Sequence, residues 1–129
     1  MVRPKSDFQL LKTFDESLLE PLHELQIEGD PSFVGGLIAD YLSQVVELNG
    51  LAQAAQKAGQ AATLEKTAHK LKSSSAVLGL EKLAAICLTI EERARAGEPT
   101  EHEVVALGQA TAEAVVVLKS FLQKIGASA

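Results

Sequence analysis

His69 lies in the segment Ala68-His69-Lys70-Leu71-Lys72-Ser73-Ser74-Ser75-Ala76-Val77-Leu78-Gly79-Leu80, on a face that packing alone does not require. On a helical wheel of about 100° per residue, Leu64, Ala68, Leu71, Ser75 and Leu78 centre about 140° from His69, which predicts an imidazole pointing to water. Ala62, Glu65, Lys66, Lys72, Ser73 and Ala76 fall within about 60° of the ring. Exposed helical faces usually carry long side chains. Here Ser73 and Ala76 are short and leave the ring uncovered. A histidine with an ordinary pKa near about 6.5 presents an uncharged ring nitrogen at neutral pH, a competent nucleophile toward phosphorus. Lys72, one turn on, would offset the charge of about −1.5 to −2 that a phosphoryl group adds. Taken alone, the same residues also fit a solvated histidine with no chemistry.

Other reactive side chains offer less. Glu65 is one turn from His69, but three metal ligands at suitable spacing are not evident, so no metal site is expected. Cys87 falls on an apolar stripe and reads as a small buried hydrophobe. His23 and His102 stand on other helices and read as surface residues. Neither a G-x-x-x-x-G-K-[ST] loop nor a G-x-G-x-x-G stretch is present, so ATP binding has no motif to rest on.

Five helices are needed to position these residues. The first is short, from about Glu16 to Gln26, with Ser17 and Glu20 as a capping box. Asp30-Pro31 starts the second, which runs to about Ala58 with Phe33, Leu37, Tyr41, Val45, Leu48, Ala52 and Ala55 as its apolar stripe. Gly35 and Gly36 weaken its first turns by about 1 kcal/mol each relative to Ala. The third carries His69 and stops at Gly79. The fourth turns Leu80, Leu83, Cys87, Ile90 and Ala94 inward and ends at Gly97. Thr100 and Glu103 form a capping box for the last, with Val104, Leu107, Thr111, Ala114, Leu118, Leu122 and Ile125 inward. Short connections imply an all-α fold: an up-down-up-down antiparallel four-helix bundle with a short additional N-terminal helix.

Composition agrees. The 129 residues suit one domain, 1–129, with its core at about 15–125. Hydrophobic residues at 47% argue against disorder, and aromatic residues at 4% leave few strand formers. A net charge of −5 is the wrong sign for binding nucleic acid or anionic lipid through the overall field. Apolar runs fall short of the roughly 20 residues of a membrane span, and the start has no signal-peptide stretch. With a single cysteine as well, a cytoplasmic protein without membrane association is expected.

The His69 segment resembles the signature of histidine-containing phosphotransfer (HPt) domains, in which Ala-His-x-Leu-Lys-Gly-Ser-Ser precedes an apolar residue, a Gly, and then Ala or Leu. Asp30-Pro31-Ser32-Phe33 with Leu37-Ile38 is similar to the family's second helix, and Leu83 through Gly97 to its fourth. The resemblance covers roughly residues 15–125. It implies that His69 is the phosphoacceptor, taking a phosphoryl group from a receiver-domain aspartate and passing it to another receiver. By the same resemblance Lys72 stabilises the phosphoryl group, Glu91 orients the imidazole through its other nitrogen, and Ser74 and Ser75 match a serine pair. Leu19, Leu22, Phe33 and Leu37 are the implied docking surface, with Arg95 as a further contact. Ser73 stands where most relatives have Gly, and its hydroxyl is placed to bond the imidazole or a phosphoryl oxygen. The implied partners are receiver domains of response regulators or hybrid sensor kinases, met by a monomer. The implied chain is a carrier and not an enzyme; it holds no cofactor, the magnesium being expected on the receiver.

Two other functions fit the same residues. One is the phosphorylated N-terminal module of a chemotaxis-type kinase, whose donor is ATP bound to a kinase domain. The other is a non-phosphorylated helical adaptor that binds receivers with His69 incidental.

Overall fold

Glycines punctuate the chain where the backbone must reverse. Gly59, Gly79 and Gly97 all have positive φ (69°, 78° and 73°), a region that side chains with a Cβ rarely adopt. Between them the computed structural model, which describes residues 11–19 and 32–125, has four α-helices: α1 (Ser32–Lys57), α2 (Ala61–Val77), α3 (Glu81–Arg95) and α4 (Glu101–Lys124). Connections 58–60, 78–80 and 96–100 are too short for anything but antiparallel neighbours. The helices close into a ring in which α1 packs on α2, α2 on α3, α3 on α4 and α4 back on α1. No strand occurs among the described residues.

The core is the inward set of each helix. Tyr41, Val45, Leu48, Ala52 and Ala55 are buried on α1, but its first two turns bury Val34 and Ile38. Phe33 is exposed and Leu37 half-buried, contrary to the expected stripe. Both pairs satisfy the same spacing, and packing against the neighbouring helices selects the register one residue on. Leu64, Ala68, Leu71 and Ser75 of α2, Leu83, Ile86, Cys87 and Ile90 of α3, and Val104, Leu107, Ala114, Leu118 and Leu122 of α4 fill the rest. Ile125 is only partly buried. Cys87 is fully enclosed, and burial pushes its thiol up. Helix α4 is long and apolar enough to cross a membrane by length and composition, yet its apolar stripe is part of this core.

Both expected capping boxes differ in chemistry. At the N-terminal end, Glu16–Leu19 is a single 3-10 turn, and Asp15 is its anchor: Oδ1 accepts from the Ser17 amide (3.1 Å) and hydroxyl (2.6 Å). Glu20 and the remainder of the expected first helix lie outside the described residues. Thr100 is the N-cap of α4, but its hydroxyl donates to Gln56 Oε1 on α1, and Glu103 turns to Arg93 instead. The segment before the turn is tied to the bundle: Asp15 N–H donates to the Gly79 carbonyl (2.7 Å), Lys82 N–H to the Lys12 carbonyl (3.0 Å), and Phe14 meets Phe121 edge-on.

Gly59 and Gly50 separate two backbone effects, because a Cβ at either would meet nothing within 4 Å. Gly59→Ala, at φ +69°, is expected to destabilise the bundle by about 1 kcal/mol, whereas Gly50→Ala inside α1 stabilises it by about 0.5–1 kcal/mol. Urea denaturation of the two variants checks both signs.

Candidate functional site

Helices α2 and α3 position the site by antiparallel register. Each step of four residues toward the C-terminus of α2 corresponds to a step of four toward the N-terminus of α3, so His69 faces Glu91 and Glu65 faces Arg95. His69 Nδ1 lies 2.7 Å from Glu91 Oε2, while Lys72 Nζ donates to Oε1 of the same carboxylate at 2.6 Å. Arg95 divides its guanidinium, giving Nε to Glu65 Oε2 (2.9 Å) and Nη2 to Glu91 Oε2 (3.2 Å).

Exposure grades this network. The His69 side chain is 61% exposed, Lys72 27% and Glu91 only 6%. The buried carboxylate is therefore the fixed element and the imidazole the accessible one. Burial opposes ionisation of Glu91, but hydrogen bonds from Lys72 and His69 together outweigh it and hold the carboxyl below its ordinary range. An ionised Glu91 only accepts, so the facing Nδ1 must carry hydrogen. In the neutral ring the lone pair then sits on Nε2, for which the described residues supply no partner.

The neighbours leave the ring open. Ala62, Lys66, Ser73 and Ala76 are all exposed, and the two alanines and the serine are too short to cover it. The Ser73 hydroxyl donates to the backbone carbonyl of His69 at 3.3 Å, so it meets neither the imidazole nor any other side chain. Ser74 bonds back likewise to Lys70 and Leu71. Ser75 is buried and pairs at 2.6 Å with the Tyr41 hydroxyl, fixing α2 from the α1 side.

Of the docking residues, Phe33 is exposed and Leu37 lines a groove of about 240 Å³ with Tyr41, Gln44, Ser74 and Val77, between α1 and α2. Leu22 and the side chain of Leu19 lie outside the described residues. The Glu65–Arg95 pair is not among the residues expected from the sequence to act together. Its signal was the matched spacing of four residues, before His69 on α2 and after Glu91 on α3. No group of three or more metal-ligating side chains forms among the described residues, and the Glu65 carboxylate is taken by Arg95.

Comparison with known proteins points one way. A family model described as the Hpt domain matches residues 36–126. The chain is 35% identical over 85 residues to histidine-containing phosphotransfer protein 4 of Arabidopsis thaliana, an alignment covering 64% of this chain and 66% of that protein. It therefore spans just under two thirds of that relative's length. The crystal structure of histidine-containing phosphotransfer protein B from Pseudomonas aeruginosa PAO1 superposes with a TM-score of 0.77 at 25% identity, covering 87% of this chain and 96% of that one.

Because Glu91 is held below its ordinary range in the fold, its contribution to stability is complete above the unfolded carboxyl value of about 4.3 and is lost as pH falls through the folded one. Glu91→Gln is expected to lower stability by about 1–2 kcal/mol near neutral pH, a gap that holds down to about pH 5 and narrows below about pH 4. Denaturation from pH 3 to 7 checks this. In the same variant, nitrogen NMR of His69 should show the hydrogen redistributed from Nδ1 toward Nε2.

Proposed function

The chain belongs to the Hpt domain family, and from that premise we propose that it is a phosphorelay carrier whose phosphoacceptor is Nε2 of His69. The observation that supports this best is the pairing of a well-exposed imidazole with a buried carboxylate on its other nitrogen. A receiver-domain aspartyl phosphate approaches the exposed ring edge. The Nε2 lone pair forms the P–N bond while the P–O bond breaks, its electron pair leaving on the aspartate carboxylate. Nδ1 keeps its hydrogen throughout, hydrogen-bonded to Glu91. Transfer to a second receiver runs the same step in reverse, with neutral imidazole as the leaving group.

Little catalytic apparatus is required of the carrier, because phosphoryl transfer depends on alignment and charge stabilisation, and the receiver contributes both aspartate and magnesium. Lys72 is the cation placed to share its charge between Glu91 and the incoming group, and the short Ser73 side chain leaves the approach open. Phe33 and Leu37 form the apolar part of the contact, which a transient protein interface needs only in modest extent. The protein acts as a cytoplasmic monomer with no cofactor of its own.

Incubation with phosphorylated receivers is expected to give an acid-labile phosphate on the wild-type chain and none on His69→Gln; labelling that persists in His69→Gln refutes the assignment. Phe33→Asp is expected to weaken receiver binding about tenfold with the helical signal unchanged, since the ring is already exposed. Titration calorimetry alongside circular dichroism reads both quantities.

A further inference from the structure

Arg95 is the third donor to Glu91, and its orientation is set from α2. Its Nε is held by Glu65 at 2.9 Å and one Nη by Glu91 at 3.2 Å, while the other Nη has no partner among the described residues. Arginine is the side chain best suited to grip a phosphoryl group, through two parallel N–H donors. Glu65 stands one turn before His69, so Arg95 is moored beside the ring yet turned toward carboxylates. Arg95 is 61% exposed and Glu65 30%, and so open an ion pair adds little to folding stability. Its effect falls on where the guanidinium points.

We propose that Glu65 is a positioning residue that keeps the Arg95 guanidinium off the phosphoryl group of phosphorylated His69, so that the group stays ready to leave. The inference rests on His69 being the phosphoacceptor. With Glu65 neutral, Arg95 keeps Glu91 through one Nη, and its Nε and other Nη are released for the phosphoryl oxygens on the ring, one turn along α2 from Glu65. It then stabilises the P–N bond against both departures: onward transfer, and hydrolysis, in which water oxygen joins phosphorus, the electron pair returns to Nε2 and the water proton goes to solvent.

The test loads the full chain with phosphoramidate, a chemical donor of phosphoryl groups to histidine, and follows loss of phosphate from the His69 peptide by mass spectrometry. Wild type, Glu65→Gln, Arg95→Ala and the double variant are compared. Glu65→Gln is expected to lengthen the phosphohistidine lifetime about three- to tenfold and to slow transfer to an unphosphorylated receiver by a similar factor, with the double variant returning to the Arg95→Ala lifetime. An unchanged lifetime in Glu65→Gln overturns the proposal. So does a gain that persists undiminished in the double variant, which would place the effect in the charge of Glu65 itself. The lifetime needs no protein partner; a chain that holds phosphate on His69 but passes it to no receiver refutes the relay reading and leaves the Glu65 comparison intact.

Discussion

A buried carboxylate that stays ionised is the constraint around which this molecule is arranged. Glu91 is almost enclosed, and a carboxylate there without donors would take up a proton. It is instead met by donors from His69, Lys72 and Arg95, two of them on α2 and one on α3 itself. The two bonds from α2 exist only if α2 and α3 hold one register, and the apolar interface beneath them fixes it through Ala68 and Leu71 on one side and Leu83, Cys87 and Ile90 on the other. Slippage by a single turn would carry Glu91 away from both His69 and Lys72. Electrostatics and packing thus select the same arrangement.

The opposite flank of α2 is secured differently. Tyr41 of α1 and Ser75 of α2 share a hydroxyl–hydroxyl bond inside the core, with burial raising the tyrosine well above its ordinary value and keeping it neutral. Polar groups this deep are costly unless matched, so the pair fixes α1 against α2 as Glu91 fixes α2 against α3. The strap from Lys12 to Asp15 closes the turn between α2 and α3, using its backbone to satisfy the Gly79 carbonyl and the Lys82 amide. Helix α2 is held on two flanks and at one end, and among the described residues the strip bearing His69 and its short neighbours faces solvent without cover.

Much of this was legible in the chain. The glycine stops, the inward sets of α2 and α3, and the open face around His69 follow from periodicity and residue size, which are properties of one helix at a time. The misreadings share a cause. Phe33 and Leu37 fit the spacing as well as Val34 and Ile38 do, and only the neighbouring helices choose between them. Thr100 reads as a cap by its position, yet its hydroxyl finds Gln56, 44 residues away. The Glu65–Arg95 pair needs both helices and their relative direction, which no single wheel contains. Resemblance to a family supplied roles for His69, Lys72 and Glu91, and physical reasoning alone stopped at an exposed imidazole with a lysine beside it.

Charge balance gives the site its character on the proposed reading. With a neutral imidazole, the carboxylates of Glu65 and Glu91 are matched by Lys72 and Arg95, so the cluster carries no net charge before phosphorylation. A phosphoryl group adds about −1.5 to −2, offset in part by the positive charge the ring takes on when Nδ1 keeps its hydrogen, while Lys72 and Arg95 are already engaged by carboxylates. A site built to retain phosphate would surround the ring with unpaired arginines, binding the ground state tightly and raising the barrier to release. A relay intermediate needs the reverse, since it must accept the group from one carboxylate and surrender it to another of similar affinity. Committing Lys72 and Arg95 to carboxylates in advance leaves the phosphoryl group at most a share of their charge, and the Nδ1–H held by Glu91 provides a neutral leaving group. Weak retention is then a property of the resting ion pairs themselves.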